Sequence, residues 1–348
     1  MLLFLIFNLC TCEFLDLKLI NSDTAKCLDG SSPGYYIQHH NNNKWLIFHE
    51  GGGWCTSMED CLARSKTDLG STKNRPKQLN IKNLNHVFSN DPSNMMHQWN
   101  KVFLIYCDGG SFTGNTIDGL HFKGRQNLIA LKEALDIEGL SSNTTDVVIS
   151  GCSAGGLATY LNLDWWRDNI PLKVKVTGLP IDGFFLDLPP HQENMKWVFQ
   201  HMNSSTNEQC QQQLGYKCMF AEHIIPYIKT PLYVLNSRYD SYDVTQSGYN
   251  KYDYGELFLH IFNNTNGFIN GCLQHCSNNI YIINGIDSYQ AFSLFYNNTN
   301  NTLIEYHPCW KCCGYPTIFI IFIIILILIF IFISIIIVLK YNNIIKWI

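Results

Sequence analysis

Short apolar runs, each ending in a glycine-rich or polar segment, recur through the first two-thirds of the chain. Trp45-Leu46-Ile47-Phe48 leads into His49-Glu50-Gly51-Gly52-Gly53-Trp54, and Val102-Phe103-Leu104-Ile105-Tyr106 leads into Cys107-Asp108-Gly109-Gly110. Both read as buried strands entering loops. Within residues 126–140, apolar side chains at 128, 131, 135 and 137 have helical spacing. Val147-Val148-Ile149 predicts a third strand with a helix over 157–166 behind it. Residues 174–181 predict another strand, and Leu232-Tyr233-Val234-Leu235 one more, ending at Asn236-Ser237-Arg238-Tyr239-Asp240. Residues 190–230 lack strand alternation and predict an inserted cap. Residues 297–302 predict a polar loop. Strands alternating with helices predict an α/β fold: a mostly parallel sheet, helices on both faces, and functional groups on the loops after the strands.

The two ends break this pattern. Residues 318–339 carry one polar side chain, Ser334, and no charge. That length spans a bilayer, and the run predicts one C-terminal transmembrane helix. Lys340 and Lys346 follow it in a short tail expected on the cytoplasmic side. A glycolipid-anchor signal normally ends within its apolar stretch, whereas this chain continues through Tyr341-Asn342-Asn343. Residues 1–12 are short and apolar and are expected to be a signal peptide. The expected organisation is therefore a leader (1–12), a luminal or extracellular domain (13–316), a membrane helix (317–340) and a cytoplasmic tail (341–348).

Composition supports a secretory route. Charged residues are 15% of the chain and the net charge is −4, so no nucleic-acid partner is expected. Apart from Cys10 and Cys12, the cysteines at 27, 55, 61, 107, 152, 210, 218, 272, 276, 309, 312 and 313 have no zinc-finger spacing with paired histidines and predict disulfides. Asn143, Asn203, Asn263, Asn297 and Asn300 each begin an Asn-x-Ser/Thr acceptor for N-glycosylation.

The candidate chemistry lies at Gly151-Cys152-Ser153-Ala154-Gly155-Gly156, after the third strand. A serine on a sharp strand-to-helix turn stands clear of the sheet, and its close neighbours must be glycine. The next N–H, that of Ala154, then points at the reacting oxygen. Such a serine needs an imidazole to take its proton and a carboxylate to fix that imidazole. In this fold class the order along the chain is Ser, then Asp or Glu, then His. Asp240 is the best carboxylate because it lies just beyond a strand, where the loop reaches the same face as the elbow; Asp243 is its rival, and Asp182 and Asp187 sit one strand too early. His275, flanked by Cys272 and Cys276, is the best base, because two disulfides would hold its loop rigid. His307 is second choice. The Gly51-Gly52-Gly53-Trp54 loop supplies further N–H donors for an oxyanion.

Seven ordered motifs resemble those of pectin acetylesterases, a family that also contains Notum. They are Cys27-Leu28-Asp29-Gly30, Glu50-Gly51-Gly52-Gly53-Trp54-Cys55, Tyr106-Cys107-Asp108-Gly109, Gly151-Cys152-Ser153-Ala154-Gly155-Gly156, Gly183-Phe184-Phe185-Leu186-Asp187, Asn236-Ser237-x-Tyr239-Asp240 and Cys272-x-x-His275-Cys276. The likeness runs over about 27–313. It implies an α/β-hydrolase-like fold, Ser153 as nucleophile, Asp240 as orienting acid and His275 as base, with Gly53, Trp54 and Ala154 giving the oxyanion-hole N–H groups. It also implies disulfides Cys27–Cys107, Cys55–Cys61 and Cys210–Cys218. Cys272 and Cys276 would pair among Cys309, Cys312 and Cys313, and Cys152 would stay free and buried. No metal or organic cofactor is implied.

The Cys152, Asn236-Ser237 and His275-Cys276 features look more like the polysaccharide-deacetylating branch. The expected activity is hydrolysis of O-acetyl esters on an acetylated polysaccharide, in a single-pass protein of the secretory pathway. Notum-like removal of a fatty acyl group from a lipidated protein is the alternative, and a membrane-anchored binding protein without turnover is the third. A membrane anchor is not typical of the family and would confine the chemistry to one surface.

Overall fold

The computed structural model describes residues 13–40, 42–84, 86–263, 265–299, 301–306, 313 and 325–334. The strands are β1 (Phe14–Leu19), β2 (Gly34–Gln38), β3 (Lys44–His49), β4 (Gln78–Asn80), β5 (Asn100–Leu104), β6 (Thr116–Asp118), β7 (Leu120–Phe122), β8 (Asp146–Cys152), β9 (Lys175–Ile181), β10 (Val234–Asp240), β11 (Gly267–Gln274), β12 (Ile282–Ile283), β13 (Ile286–Asp287) and β14 (Leu303–Ile304). Ten of them form one sheet in the order β14-β11-β10-β9-β8-β3-β5-β2-β1-β4; β6–β7 and β12–β13 are separate hairpins. From β5 through β3, β8, β9, β10 and β11 to β14 every pairing is parallel, whereas β2, β1 and β4 form an antiparallel edge.

The central strands alternate between two cores with the two-residue period of a pleated sheet. Leu46, Phe48, Phe103, Val148 and Leu179 face one side, against Phe88 and the helix α9 (Ser288–Tyr296, numbered with the helices below), whose Tyr289, Phe292 and Tyr296 are buried there. Trp45, Ile47, Val102, Leu104, Val147 and Ile149 face the other, against Leu128, Leu131 and Leu135 and against Ala158, Leu163 and Trp166. The second group of partners comes from α2 (Gly124–Ile137) and α3 (Ala154–Asp168), α1 being the short helix Met58–Arg64. Helices on both faces of a mostly parallel sheet are as expected.

Residues 189–227 hold helices and no strand: α4 (Pro189–His201), α5 (Glu208–Leu214), α6 (Ala221–Ile224) and two 3-10 turns. Met195, Val198, Met202, Phe220 and Ile224 pack with Leu157 and Tyr160 of α3 and with Tyr254 and Phe258 of α8 (Lys251–Ile261), forming a third core. This is the strandless insertion that the sequence predicts. Between it and α8, the helix α7 (Ser241–Ser247) follows β10 directly.

Two elements differ from expectation. The strand read at Leu232-Tyr233-Val234-Leu235 runs on through Asp240, because its polar half is paired inside the protein rather than turned to water. The antiparallel edge leaves no clear apolar run in the sequence, since its strands carry Asp16, Lys18 and Gln38 among their apolar positions. Of the expected membrane span, residues 325–334 are described; they form a helix whose apolar side chains are exposed. No helix among the described residues is long and apolar enough to cross a membrane. The expected leader, tail and His307 lie outside the described residues.

Candidate active site

The parallel register carries the ends of five strands to one side of the sheet. His49 pairs with Gly151, and Ile181 with Cys152. The glycine loop after β3 and the turn after β9 therefore flank Ser153. Ser153 is the N-cap of α3, at φ 60° and ψ −126°. For an L residue this backbone costs on the order of 1–2 kcal/mol, and it persists only because its surroundings enforce it. The enforcement is visible in Gly155, where a Cβ would lie 2.1 Å from His49 O. Likewise a Cβ on Gly51 would lie 2.3 Å from Cys152 O and 3.1 Å from Ser153 Cβ, so the glycine loop rests directly on the elbow.

Beyond Gly51 the loop is anchored by side chains. Both Glu50 carboxylate oxygens accept from Arg75, at 2.6 and 2.8 Å, and Oε2 also accepts from Tyr106 N at 2.8 Å. Gly53 O accepts from the Tyr106 hydroxyl at 2.8 Å. Trp54 Nε1 donates to Ser111 Oγ, which donates in turn to Ala154 O, both at 2.8 Å. Among the described residues, the N–H groups of Gly53, Trp54 and Ala154 donate to no protein acceptor. These unpaired donors lie on the glycine loop and, for Ala154, at the positive end of α3.

His275 is placed by β10 and β11. Asp240 and Gln274 are Cα partners, so the residue after Gln274 falls beside the Asp240 carboxylate. His275 Nδ1 lies 2.8 and 2.9 Å from the two Asp240 oxygens. Asp240 is itself fixed, since its Oδ1 caps α7 by accepting from Tyr242 N and Asp243 N. With Nδ1 donating, Nε2 is the basic nitrogen; it is buried and has no hydrogen-bond partner. The Ser153–His275 hydrogen bond is thus not formed in this structure, as often in an enzyme without substrate. Tyr242 stacks on the imidazole with centroids 5.4 Å apart, and Phe185 lies 6.3 Å from it and 4.9 Å from Trp54.

Burial lowers the proton affinity of His275, but the Asp240 hydrogen bond and the charges of Asp240, Asp182 and Asp243 overcome it, leaving the imidazole above its usual range. Burial raises Asp240, and the His275 hydrogen bond opposes it. Asp243, the rival carboxylate, is engaged elsewhere: it accepts from Tyr254 OH at 2.6 Å and lies 3.2 Å from His191 Nε2. Asp187 lies 2.8 Å from His223 Nε2.

The described cysteines form five disulfides. Cys27–Cys107, Cys55–Cys61 and Cys210–Cys218 match the expected pairs, and Cys272–Cys313 falls within the expected set. Cys152 and Cys276 require a correction. Cys152 is not free, and Cys276 does not pair near the C-terminus; they are bonded to each other. The parallel strands put both ends on one side of the sheet, and the loop after β11 reaches back across β10 and β9, where Cys276 N donates to Asp182, to meet Cys152 across 124 residues of sequence. Cys152, Asp182 and Cys276 have ligand-type atoms within 4.8 Å of one another, but both sulfurs are consumed by the bridge, leaving no thiolate for a metal.

The pectinacetylesterase family profile matches residues 11–261. The chain belongs to the pectinacetylesterase family. It is 33% identical to pectin acetylesterase 5 of Arabidopsis thaliana over 252 residues, 65% of this chain and 58% of that protein. It is 31% identical to pectin acetylesterase 4 of the same plant over 240 residues, 63% of this chain and 58% of that protein. The palmitoleoyl-protein carboxylesterase NOTUM of Schmidtea mediterranea is 27% identical over 261 residues, 66% of this chain and 49% of that protein. The chain therefore spans less than two-thirds of the length of these relatives. The pectinacetylesterase match takes in Ser153 and Asp240 and ends before His275, whose place is set by the fold alone.

Sequence reasoning passed over several residues of this site. Ser111, Tyr242 and His191 carry no local motif. Asp182, set aside as one strand too early for the orienting acid, accepts from Cys276 N at 2.7 Å and Ser237 N at 2.9 Å.

Proposed function

We propose that this protein is a serine carboxylesterase that removes O-acetyl groups from a polysaccharide. Ser153 attacks the ester carbonyl as His275 Nε2 takes its proton. Asp240 holds the imidazole by Nδ1 and balances the imidazolium charge. The N–H groups of Gly53, Trp54 and Ala154 receive the oxyanion. As the C–O bond breaks, His275 protonates the departing sugar oxygen, and water, deprotonated by His275, releases acetate from Ser153. The observation that carries this reading is the His275 Nδ1–Asp240 contact at the same strand ends as the strained elbow and its unpaired donors. The polysaccharide acetate rests on the higher identity to the plant pectin acetylesterases than to the NOTUM protein.

The exposed acceptors Asn143, Asn203, Asn263 and Asn297, together with the disulfides, support a secretory, glycosylated protein; Asn300 lies outside the described residues. The apolar run 318–339 would anchor it with the esterase domain luminal or extracellular. The test is hydrolysis of nitrophenyl esters from acetyl to decanoyl by the secreted domain, with Ser153→Ala as control. A peak at acetyl that vanishes in the variant supports the proposal. A peak at long chains redirects it to lipid removal, and equal rates in both proteins refute the Ser153 assignment.

A further inference from the structure

Three non-glycine residues at these strand ends hold left-handed backbone: Ser153 at φ 60°, Asp182 at φ 41° and Cys276 at φ 52°. The elbow explains the first. The other two belong to a second arrangement that the acyl-transfer steps do not use. Cys152, immediately before Ser153, is bonded to Cys276, immediately after His275. Asp182, immediately after β9, is buried and accepts from Cys276 N at 2.7 Å, from Ser237 N at 2.9 Å and from Gln274 Nε2 at 3.2 Å. Both neighbours of His275 are thus held by Asp182, and one of them is also held covalently to the elbow.

A disulfide placed only for stability has no reason to join the residue before one reactive group to the residue after the other. A buried carboxylate, likewise, is costly where an uncharged acceptor would serve the same N–H donors. What a carboxylate adds is negative charge that acts on the imidazole, held against a burial that raises its own proton affinity by the three N–H donors and by the His275 charge.

Resting on the esterase reading above, we propose that Cys152–Cys276 and Asp182 form a positioning clamp, which sets the place of His275 against Ser153 and stabilises its protonated form during proton transfer. The charged groups around the imidazole are Asp240 from β10, Asp182 from the end of β9 and Asp243 from α7, with His191 of α4 set against Asp243. The charge of Asp182 is among the causes that raise the proton affinity of His275 against its burial.

The test compares the full chain with a Cys152→Ala/Cys276→Ala variant, with Asp182→Asn, and with Cys210→Ala/Cys218→Ala as a disulfide control in the helical insertion. All are assayed well below their melting temperatures, with nitrophenyl acetate and with a fluorophosphonate that labels the elbow serine. The clamp predicts that the first variant loses about a hundredfold in kcat and in labelling rate with KM nearly unchanged, the size expected of a displacement of about 1 Å. The control loses melting temperature and keeps kcat. Asp182→Asn moves the rising limb of the kcat/KM pH profile down by about one pH unit.

A folded Cys152→Ala/Cys276→Ala variant with wild-type kcat, or an unmoved limb in Asp182→Asn, overturns the clamp. If that double variant does not fold, stepwise reduction of the native chain replaces it, with the open bridges mapped by mass spectrometry. Activity falling with the Cys152–Cys276 bridge while near-ultraviolet dichroism is kept supports the clamp, and activity surviving its opening overturns it. A wild-type protein that neither hydrolyses the ester nor takes the label refutes the esterase reading itself, and the clamp with it.

Discussion

The serine elbow and the histidine loop meet at one set of strand ends but are built in opposite ways. The elbow is local. Within the span from Gly151 to Gly156, glycines admit the close backbone approaches that force Ser153 into its strained turn. The histidine loop is held from far along the chain: by Asp240 35 residues before it, by the Asp182 contacts to its neighbours, and by a disulfide across 124 residues. Steric rules written in consecutive residues make a motif; polar and covalent ties between distant segments leave none.

The two constructions should fail differently. Ser153→Ala, made in the elbow itself, should lower kcat/KM for nitrophenyl acetate by about 10⁴-fold or more with the melting temperature kept. Asp240→Asn, made in the histidine loop's support, should come close to it, lowering kcat by about 10³- to 10⁴-fold through the wrong imidazole tautomer. Gly155→Ala should break the elbow as structure. Its Cβ would overlap His49 O, so a loss of about 3 kcal/mol in denaturant unfolding and poor secretion are expected, rather than a folded, slow enzyme.

The comparison can be sharpened with pH. Because His275 is raised, it is still protonated at its ordinary value of 6.5 and becomes a base only above it. Activity should therefore be lost as pH falls, with the midpoint of the kcat/KM limb above 6.5. A midpoint below 6.5 would mean that burial outweighs the carboxylates. The smallest effect is expected at the seam between glycine loop and elbow. Ser111→Ala removes the hydroxyl between Trp54 Nε1 and Ala154 O, and should lower kcat about fivefold, equivalent to about 1 kcal/mol.

The same contrast decides what could be read from the sequence. Apolar runs at 45–48 and 147–149 marked β3 and β8 because strands buried on both faces leave continuous hydrophobic signals. Ser153, Asp240 and His275 stand out in the sequence because each sits in a short motif, and the structure sets His275 against Asp240. β11 does not stand out: Asn270 and Gly271 interrupt it, and Asn270 makes sense only when its side chain is seen donating to Asn236 O. The polar stretch Asn236–Asp240 looked like a loop for the same reason, although Asn236 Oδ1 accepts from Phe184 N and Ser237 N donates to Asp182. The Cys152–Cys276 bridge departs from the pairing that the resemblance implies, and no local signal announces it, because it joins the turn after β8 to a loop that reaches back across β10 and β9.

The account turns on whether an acyl group passes through Ser153. The most direct measurement is rapid acid quenching of the secreted domain during turnover of nitrophenyl acetate, followed by peptide mass spectrometry. The account predicts one acetyl group on Ser153 in wild type and none in Ser153→Ala. Turnover with no acetyl on Ser153, or with the acetyl on another residue, would contradict it.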